Sequence, residues 1–234
     1  MPAFAAAMAV GAHELELDVW TSRDGALVVC HDASVDRTTD GTGRVEDLTW
    51  DEIRGLDAGI RTDTAWRGVR IPCLEEVLAF TGARIGLNIH MKDEGPGGVT
   101  VRRVCDLLIN LALTDIAYLA LGTQLALQAA IDYAPDIARA CLAGQADPSV
   151  SIDVAVRYGC RRIQFGRHVT PEQIAHAREL GLICNLFWSD EPDDARTYVR
   201  NGIDVILTNC AHILIAGGFA PLGGSGLQRE ASRD

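Results

Sequence analysis

The sequence lacks the features that mark several other classes of protein. It contains no uninterrupted apolar run of about 18 residues, the length that a membrane span needs. It has no excess of basic charge, because 21 Lys and Arg stand against 32 Asp and Glu, a formal net charge of -11. General nucleic-acid binders usually carry a basic face, so we expect no nucleic-acid partner and no membrane span. No basic segment precedes the apolar start MPAFAAAMAV, so we also expect no signal peptide.

The cysteines lack the spacing of a metal or redox motif. They are odd in number, seven in all, and no two form a CxxC pair. Most lie among Val, Ile and Leu, as in LVVC and LIC, which is typical of small buried side chains. We therefore expect free thiols and a cytoplasmic location.

Apolar strand-like runs alternate with helical patterns along most of the 234 residues. This alternation predicts an α/β fold with a parallel sheet, a TIM-like (β/α) barrel. The seven predicted parallel strands are one short of the roughly eight that close such a barrel. They are 15–20, 85–92, 116–122, 138–144, 161–166, 182–188 and 204–209.

Helix signals separate these strands. Thr170-Pro171-Glu172-Gln173 is a capping box with proline at the first helical position, and Gly181 follows at the preferred end position. A second box, Thr49-Trp50-Asp51-Glu52, predicts a short helix near 50–56. The other predicted helices are 72–81, 99–113, 124–133, 149–158 and 192–201.

One strand, 26–32, follows 15–20 too closely for a crossover helix, so it predicts a β-hairpin. Asp24-Gly25 is a favoured two-residue turn, which would pair Arg23 with Ala26 and place Asp18 opposite His31.

Domain organisation follows from these patterns. We expect one barrel domain over residues 1–215, with an insertion at 33–70 long enough to suggest a functional connection. The Gly-rich and polar segment 216–234 is expected to be a disordered tail.

Two short polar patterns predict a metal site. Glu16 and Asp18 share one face of a strand, and a hard divalent cation would offset their repulsion. The alternative is a solvated acidic strand face. In GLNIHMK, Asn88, His90 and Lys92 also share one face, where imidazole can bind a metal and lysine a phosphate oxygen. The alternative there is a structural histidine beside a solvent-reaching lysine.

Two further side chains complete the candidate site. If the hairpin register holds, His31 lies beside Asp18 and can act as an acid or base. Trp188 ends a strand at the same rim and would form an apolar pocket wall, although a core or surface tryptophan is an equal alternative.

The run from Gly11 to Gly59, GAHELELDVWTSRDGALVVCHDASVDRTTDGTGRVEDLTWDEIRGLDAG, resembles the glycerophosphodiester phosphodiesterase family. IPCLEEVL, LNIHMK and LFWSDEPDDARTYVRNGIDVILTN resemble later family segments. The resemblance implies a TIM-like barrel that hydrolyses glycerophosphodiesters to glycerol 3-phosphate and an alcohol. It implies Glu16 and Asp18 as ligands of a divalent metal, Ca²⁺ or Mg²⁺, and His31 as a catalytic residue. By the same resemblance, Lys92 contacts the phosphate and Trp188 walls the glycerol side.

The sequence departs from this family pattern in two places. The family's first strand, ending in His-Arg-Gly, has no counterpart before MPAFAAAMAVGA, so we expect an incomplete barrel and impaired turnover of residues 1–234 alone. His90 stands where the family usually has a glutamate, which shifts the expected preference toward Mn²⁺, Co²⁺ or Zn²⁺ if it is a ligand. Two other functions stay open: a phospholipase-like phosphodiesterase of lipid headgroups, and a non-catalytic homologue that only binds metal or phosphate.

Overall fold

A computed structural model describes residues 1–219, and that part of the chain holds one eight-stranded sheet and nine α-helices. The strands are β1 Glu14–Thr21, β2 Leu27–Val29, β3 Gly86–Met91, β4 Ala117–Leu121, β5 Ala138–Cys141, β6 Arg162–Gly166, β7 Ile183–Phe187 and β8 Val205–Ile206. The helices are α1 Pro2–Ala9, α2 Trp50–Gly55, α3 Leu74–Thr81, α4 Val99–Asn110, α5 Gln124–Tyr133, α6 Pro148–Arg157, α7 Pro171–Glu179, α8 Pro192–Arg200 and α9 Ala211–Ala216.

The sheet has the strand order β2-β1-β3-β4-β5-β6-β7-β8. Every neighbouring pair from β1 and β3 through to β8 is parallel, and β2 alone runs antiparallel against β1. The predicted α/β barrel-type architecture is confirmed, including all seven parallel strands. Within residues 1–219 the sheet curls but does not close, because β1 and β8 share no ladder.

Successive side chains of β1 point alternately toward the helices and toward the inside of the curled sheet. Leu15, Leu17 and Val19 are buried in the main core, which the helices cover. The intervening Glu16 and Asp18 face the other way, as strand alternation requires. Parallel pairing with β3 sets Glu16 level with Asn88, and Asp18 level with His90. Two polar strand faces thus meet at the carboxyl ends of adjacent strands.

The hairpin is present, but the predicted register is wrong by one residue. Val19 pairs with Val29, and the Cys30 amide donates to the Asp18 carbonyl at 3.1 Å, so Cys30 rather than His31 lies opposite Asp18. The physical reason is a three-residue turn. The Ser22 amide donates to the Ala26 carbonyl, and Gly25 adopts φ +90°, the left-handed region that such turns use.

Both predicted capping boxes are confirmed. The Thr49 amide donates to Glu52 Oε2 at 2.7 Å, and the Thr170 amide donates to Gln173 Oε1 at 3.0 Å, while each threonine side chain accepts the returning amide. Gly181 follows α7 with φ +81°, so it ends that helix as expected.

The insertion 33–70 packs as a small unit on β2. Val35, Val45 and Ile53 are fully buried in its own apolar cluster, and the Asp57 carboxylate accepts three backbone amides of the loop that follows it. These contacts hold the insertion against Val28 of β2 and against Cys30, the residue before His31.

The last described helix extends slightly beyond the predicted domain. Helix α9 reaches Ala216, one residue past the predicted domain end, and the predicted tail lies almost wholly in 220–234, outside the described residues. All seven cysteines are free, and five of them are buried. A search of residues 1–219 finds no helix with the length and apolarity needed to cross a membrane.

Candidate active site

Three predicted metal ligands converge on the inner face of the curled sheet. Glu16 and Asp18 come from β1 and His90 from β3, and one ligand atom from each lies within 4.8 Å of the other two. The structure thereby brings together residues separated by more than 70 positions in the chain, because β1 and β3 are neighbours in register.

Asp18 is the centre of this group. His90 Nδ1 lies 2.9 Å from Asp18 Oδ1, and Lys92 Nζ lies 3.1 Å from the same oxygen. Glu16 Oε1 is farther from His90 Nδ1, at 3.8 Å. The Asp18 side chain is only 9% exposed, whereas that of Glu16 is 34% exposed. Both carboxylates line the cavity, and Asp18 is the more buried and the more closely contacted of the two.

The two carboxylates differ in their pKa values. Burial, together with the nearby charge of Asp18, raises the pKa of Glu16 to about 7, although Lys92 acts against this. Burial alone would also raise the pKa of Asp18. The hydrogen bond from His90 and the charge of Lys92 outweigh it, and the pKa of Asp18 is lowered. Asp18 is thus ionised across the neutral range, while Glu16 titrates within it.

The donor set fits a divalent cation. Two carboxylates and an imidazole offer oxygen and nitrogen atoms that such an ion accepts. Burial and, after it, the charge of Asp18 raise the pKa of Glu16, so part of that rise reflects repulsion between the carboxylates. A cation between them would offset that repulsion. The imidazole makes the set softer than an all-oxygen site.

His31 reaches the same cavity by a route that the sequence did not predict. Since β2 ends at Val29, the pleat no longer fixes the direction of the His31 side chain. The residue lines a cavity of ≈ 200 Å³ together with Glu16, Asp18, His90 and Lys92. Its side chain is 64% exposed, and its Nδ1 atom lies 2.7 Å from Asp32 Oδ1.

The strand-end aromatics divide between the cavity and the rim. Phe187, the last residue of β7, lines the cavity, whereas Trp188 lies next to it and is 41% exposed. Trp188 Nε1 donates to Asp190 Oδ2 at 3.1 Å, and the two rings meet edge to face with centroids 5.4 Å apart. The role of Trp188 as a pocket wall stays a prediction.

Sequence reasoning missed four cavity residues. The alternation in RRIQFG was a usable signal for Gln164, which lies between buried Ile163 and Phe165 and faces inward. Gln145 sits in the loop after β5, where no pattern points to the cavity. Its Nε2 donates to the Gln164 carbonyl at 3.0 Å. The missed residues are Leu142, Gln145, Gln164 and Phe187.

A buried polar group lies inside the sheet below the cavity. Arg162 is 1% exposed, and its guanidinium lies 3.3 Å from Glu14 Oε1 and 4.3 Å from the Tyr118 ring centre. Tyr118 donates to Glu14 Oε2 at 2.9 Å and accepts from Asn185 at 3.0 Å. These contacts join β1, β4, β6 and β7 across the interior.

Comparison with known proteins supports one family. The model of the glycerophosphoryl diester phosphodiesterase family matches residues 1–212. A glycerophosphodiester phosphodiesterase of Caldanaerobacter subterraneus is 50% identical over 91 residues, which are 38% of this chain and 37% of that protein. The uncharacterized protein YqiK of Bacillus subtilis is 28% identical over 219 residues, 89% of this chain and 88% of that protein. The most alike stretch therefore spans little more than a third of the named relative.

Solved structures share the fold over nearly the whole chain. A glycerophosphodiester phosphodiesterase from Agrobacterium tumefaciens has a TM-score of 0.77 at 28% identity, covering 91% of this chain and 92% of its own. An Oleispira antarctica phosphodiesterase, solved with the product sn-glycerol-3-phosphate, has a TM-score of 0.82 at 24% identity, covering 92% of this chain and 88% of its own.

Proposed function

The chain belongs to the glycerophosphoryl diester phosphodiesterase family, and on that premise we propose that it hydrolyses a glycerophosphodiester to glycerol 3-phosphate and an alcohol. We propose Glu16, Asp18 and His90 as the ligands of a divalent metal ion that this reaction needs. The observation that carries the proposal is the convergence of the three ligand atoms within 4.8 Å, in the cavity that Lys92 and His31 also line.

Each residue has a distinct role in this proposal. The bound metal would supply positive charge that offsets the charge of the phosphodiester and favours attack at phosphorus. The Lys92 ammonium adds a second positive charge from the β3 side, and its contact with Asp18 holds it at the cavity. His31 exchanges a proton with the reacting oxygen at the open side of the cavity. Asp18 positions both His90 and Lys92 through one oxygen.

The cavity suits a small-molecule substrate. Its volume of ≈ 200 Å³ is small, and Phe187 and Leu142 give it apolar walls beside the charged group. We propose that the glycerol unit lies against these walls and against Trp188 at the rim. Seven free cysteines favour a cytoplasmic location, where thiols stay reduced.

Release of glycerol 3-phosphate tests the function. Glycerophosphocholine and glycerophosphoethanolamine are supplied with Mn²⁺, Mg²⁺, Ca²⁺ or Zn²⁺, or with EDTA, and the product is measured through glycerol-3-phosphate dehydrogenase. We expect release with at least one metal and none with EDTA. Intact phosphatidylcholine vesicles test the phospholipase-like alternative, with released choline or phosphocholine as the product measured. Faster turnover of these vesicles would replace the proposed substrate.

One observation keeps a non-catalytic function as the second candidate. Among the described residues lining the cavity, His31 is the only histidine outside the ligand group. A protein with a single proton-transfer group there would bind metal or phosphate with little turnover. Metal binding without product release from any of the diesters would favour this second function.

Replacing His90 by glutamate tests its role as a ligand. His90→Glu adds a third carboxylate oxygen donor, so we expect Ca²⁺ and Mg²⁺ affinity to rise relative to Mn²⁺ affinity. Competition titrations measure the ratio. His168→Glu, a change at another histidine that does not line the cavity, is the control. An unmoved ratio in His90→Glu would place His90 outside the ligand set.

Metal affinity should depend on pH because Glu16 must lose its proton to bind. Its raised pKa of about 7 means that protons compete increasingly as the pH falls through 7. We expect affinity at pH 8 to exceed that at pH 6 by up to about tenfold, less where solvent screens the exposed part of the side chain. Calorimetry at both pH values measures the change. The same change of metal affinity between pH 6 and pH 8 should persist in His90→Gln. Its loss in that variant would assign the pH dependence to His90 instead of Glu16.

A further inference from the structure

A chain of hydrogen bonds leads away from the cavity through His31. The Nδ1 atom of His31 lies 2.7 Å from Asp32 Oδ1. Arg37 holds the same carboxylate from the other side, with Nε 2.6 Å from Oδ2 and Nη2 3.1 Å from Oδ1. The indole of Trp20 donates to the His31 carbonyl at 3.3 Å. The exposed His31 ring is therefore oriented by Asp32, which Arg37 holds, while Trp20 fixes the backbone of His31.

The charges along this chain are fixed. Arg37, followed by His31, lowers the pKa of Asp32 to about 2, so the carboxylate stays ionised at any working pH. An ionised carboxylate only accepts hydrogen bonds, and a guanidinium only donates them. Asp32 can therefore bond to the His31 ring only if Nδ1 carries a proton. The ring nitrogen left for chemistry is Nε2.

We propose that Asp32, held by Arg37, is a positioning residue that keeps the Nδ1 proton of His31 in place and leaves Nε2 to exchange the proton of the reaction. The use of Nε2 in the reaction rests on the proposed function. The tautomer of the His31 ring does not, because it depends only on Asp32 and Arg37. Asp32 and Arg37 themselves do not line the cavity.

The proton step balances at Nε2. As a water oxygen bonds to phosphorus, the bond from phosphorus to the alcohol oxygen breaks with its electron pair, and that oxygen takes the proton from Nε2 of the protonated ring. The proton that the attacking water loses passes to solvent, and Nε2 regains one proton from solvent before the next turnover. Throughout, Nδ1 keeps its proton, which stays hydrogen-bonded to Asp32.

Asp32→Asn should reverse the tautomer. Arg37 needs an oxygen acceptor and would bind the carboxamide oxygen, which turns the carboxamide NH₂ toward His31. Nδ1 must then accept, and the proton of the neutral ring moves to Nε2.

Nitrogen NMR of histidine-labelled protein reads the tautomer directly and needs no turnover. Spectra are recorded at about pH 8.5, where unperturbed imidazole is neutral, and the spectrum of His31→Ala identifies the His31 signals among the six histidines. We expect the Nδ1–H form in the unchanged protein and the Nε2–H form in Asp32→Asn. Glu46→Gln is the control, because Glu46 forms a similar surface pair with Arg44 at 2.6 Å, and it should leave the His31 signals unmoved.

Kinetics supply the second measurement. Asp32→Asn should lower kcat by about 100-fold or more with KM and metal affinity unchanged, and the double variant with His31→Ala should lose no more than His31→Ala alone. Arg37→Lys should retain more activity than Arg37→Ala.

The two measurements separate the inference from the proposed function. An Nε2–H form in the unchanged protein, or the same tautomer in Asp32→Asn, overturns the positioning role whatever the activity. The expected tautomers in a protein that releases no product would leave the positioning role intact and reject the proposed function.

Discussion

Asp18→Asn is expected to weaken divalent-metal binding by more than about 100-fold, a larger loss than the 10- to 100-fold typical of residues that only support a ligand. The change removes the charge on the most buried carboxylate of the group, which is 9% exposed. It also releases His90 and Lys92, which share its Oδ1 atom at 2.9 and 3.1 Å. Glu16→Gln should have a similar effect, because it removes the charge of the second carboxylate that lines the cavity.

Calorimetric titration with Mn²⁺ and Ca²⁺ measures this loss. Glu179→Gln is the matched control, since Glu179 ends α7 in solvent and faces none of the ligand atoms. Circular dichroism and the thermal midpoint show whether each variant is folded. Unchanged metal affinity in folded Asp18→Asn and Glu16→Gln proteins would reject the metal site.

His31→Ala should lower turnover by about 100-fold or more while the thermal midpoint changes little. The side chain is 64% exposed, and the one ring contact recorded for it is the bond with Asp32, so its removal costs little packing. Loss of the proton-exchanging group, in contrast, leaves the reacting oxygen without a partner. Initial rates at saturating substrate and metal measure the effect.

His176→Ala is the control for this substitution, because His176 is an exposed histidine on α7. Rates of the unchanged protein, His31→Ala and His176→Ala are compared under identical conditions. Full activity of His31→Ala would remove His31 from the chemistry.

The fold was largely predictable because the sequence shows two regular patterns, the alternation of strands with helices and the alternation of polar with apolar residues along the strands. Apolar runs alternating with capped helices identified every parallel strand, and the boxes at Thr49 and Thr170 placed two helix starts. The polar alternation Glu16-Asp18 and Asn88-His90-Lys92 was also enough to predict two faces. It could not show that they meet, since that depends on β1 and β3 being neighbours in the sheet.

The hairpin register and the loop residues of the cavity could not be predicted, because they depend on turn geometry and loop direction. The sequence Asp24-Gly25 fits a two-residue turn, but Ser22 and Ala26 close a three-residue one, and a single residue shifts the whole register. His31 nevertheless lines the cavity, because the ladder stops before it. No local pattern marks Gln145 or the contact between Arg162 and Glu14, since both depend on strands far apart in sequence.

The sheet of residues 1–219 is open, as the strand count from the sequence predicted. Seven parallel strands leave β1 and β8 unpaired with one another across residues 1–219, in line with the strand count from the sequence. Inside the sheet, the Arg162 guanidinium makes no well-directed hydrogen bond to the described residues, although it lies 3.3 Å from Glu14 Oε1.

The most direct test compares the metal concentration that gives half-maximal glycerol 3-phosphate release with the dissociation constant of the same metal from calorimetry. The account predicts that the two agree, and that they move together in His90→Glu, because binding at Glu16, Asp18 and His90 is what permits turnover. Product release that persists in EDTA, or that saturates at a metal concentration unrelated to binding at this site, would contradict it.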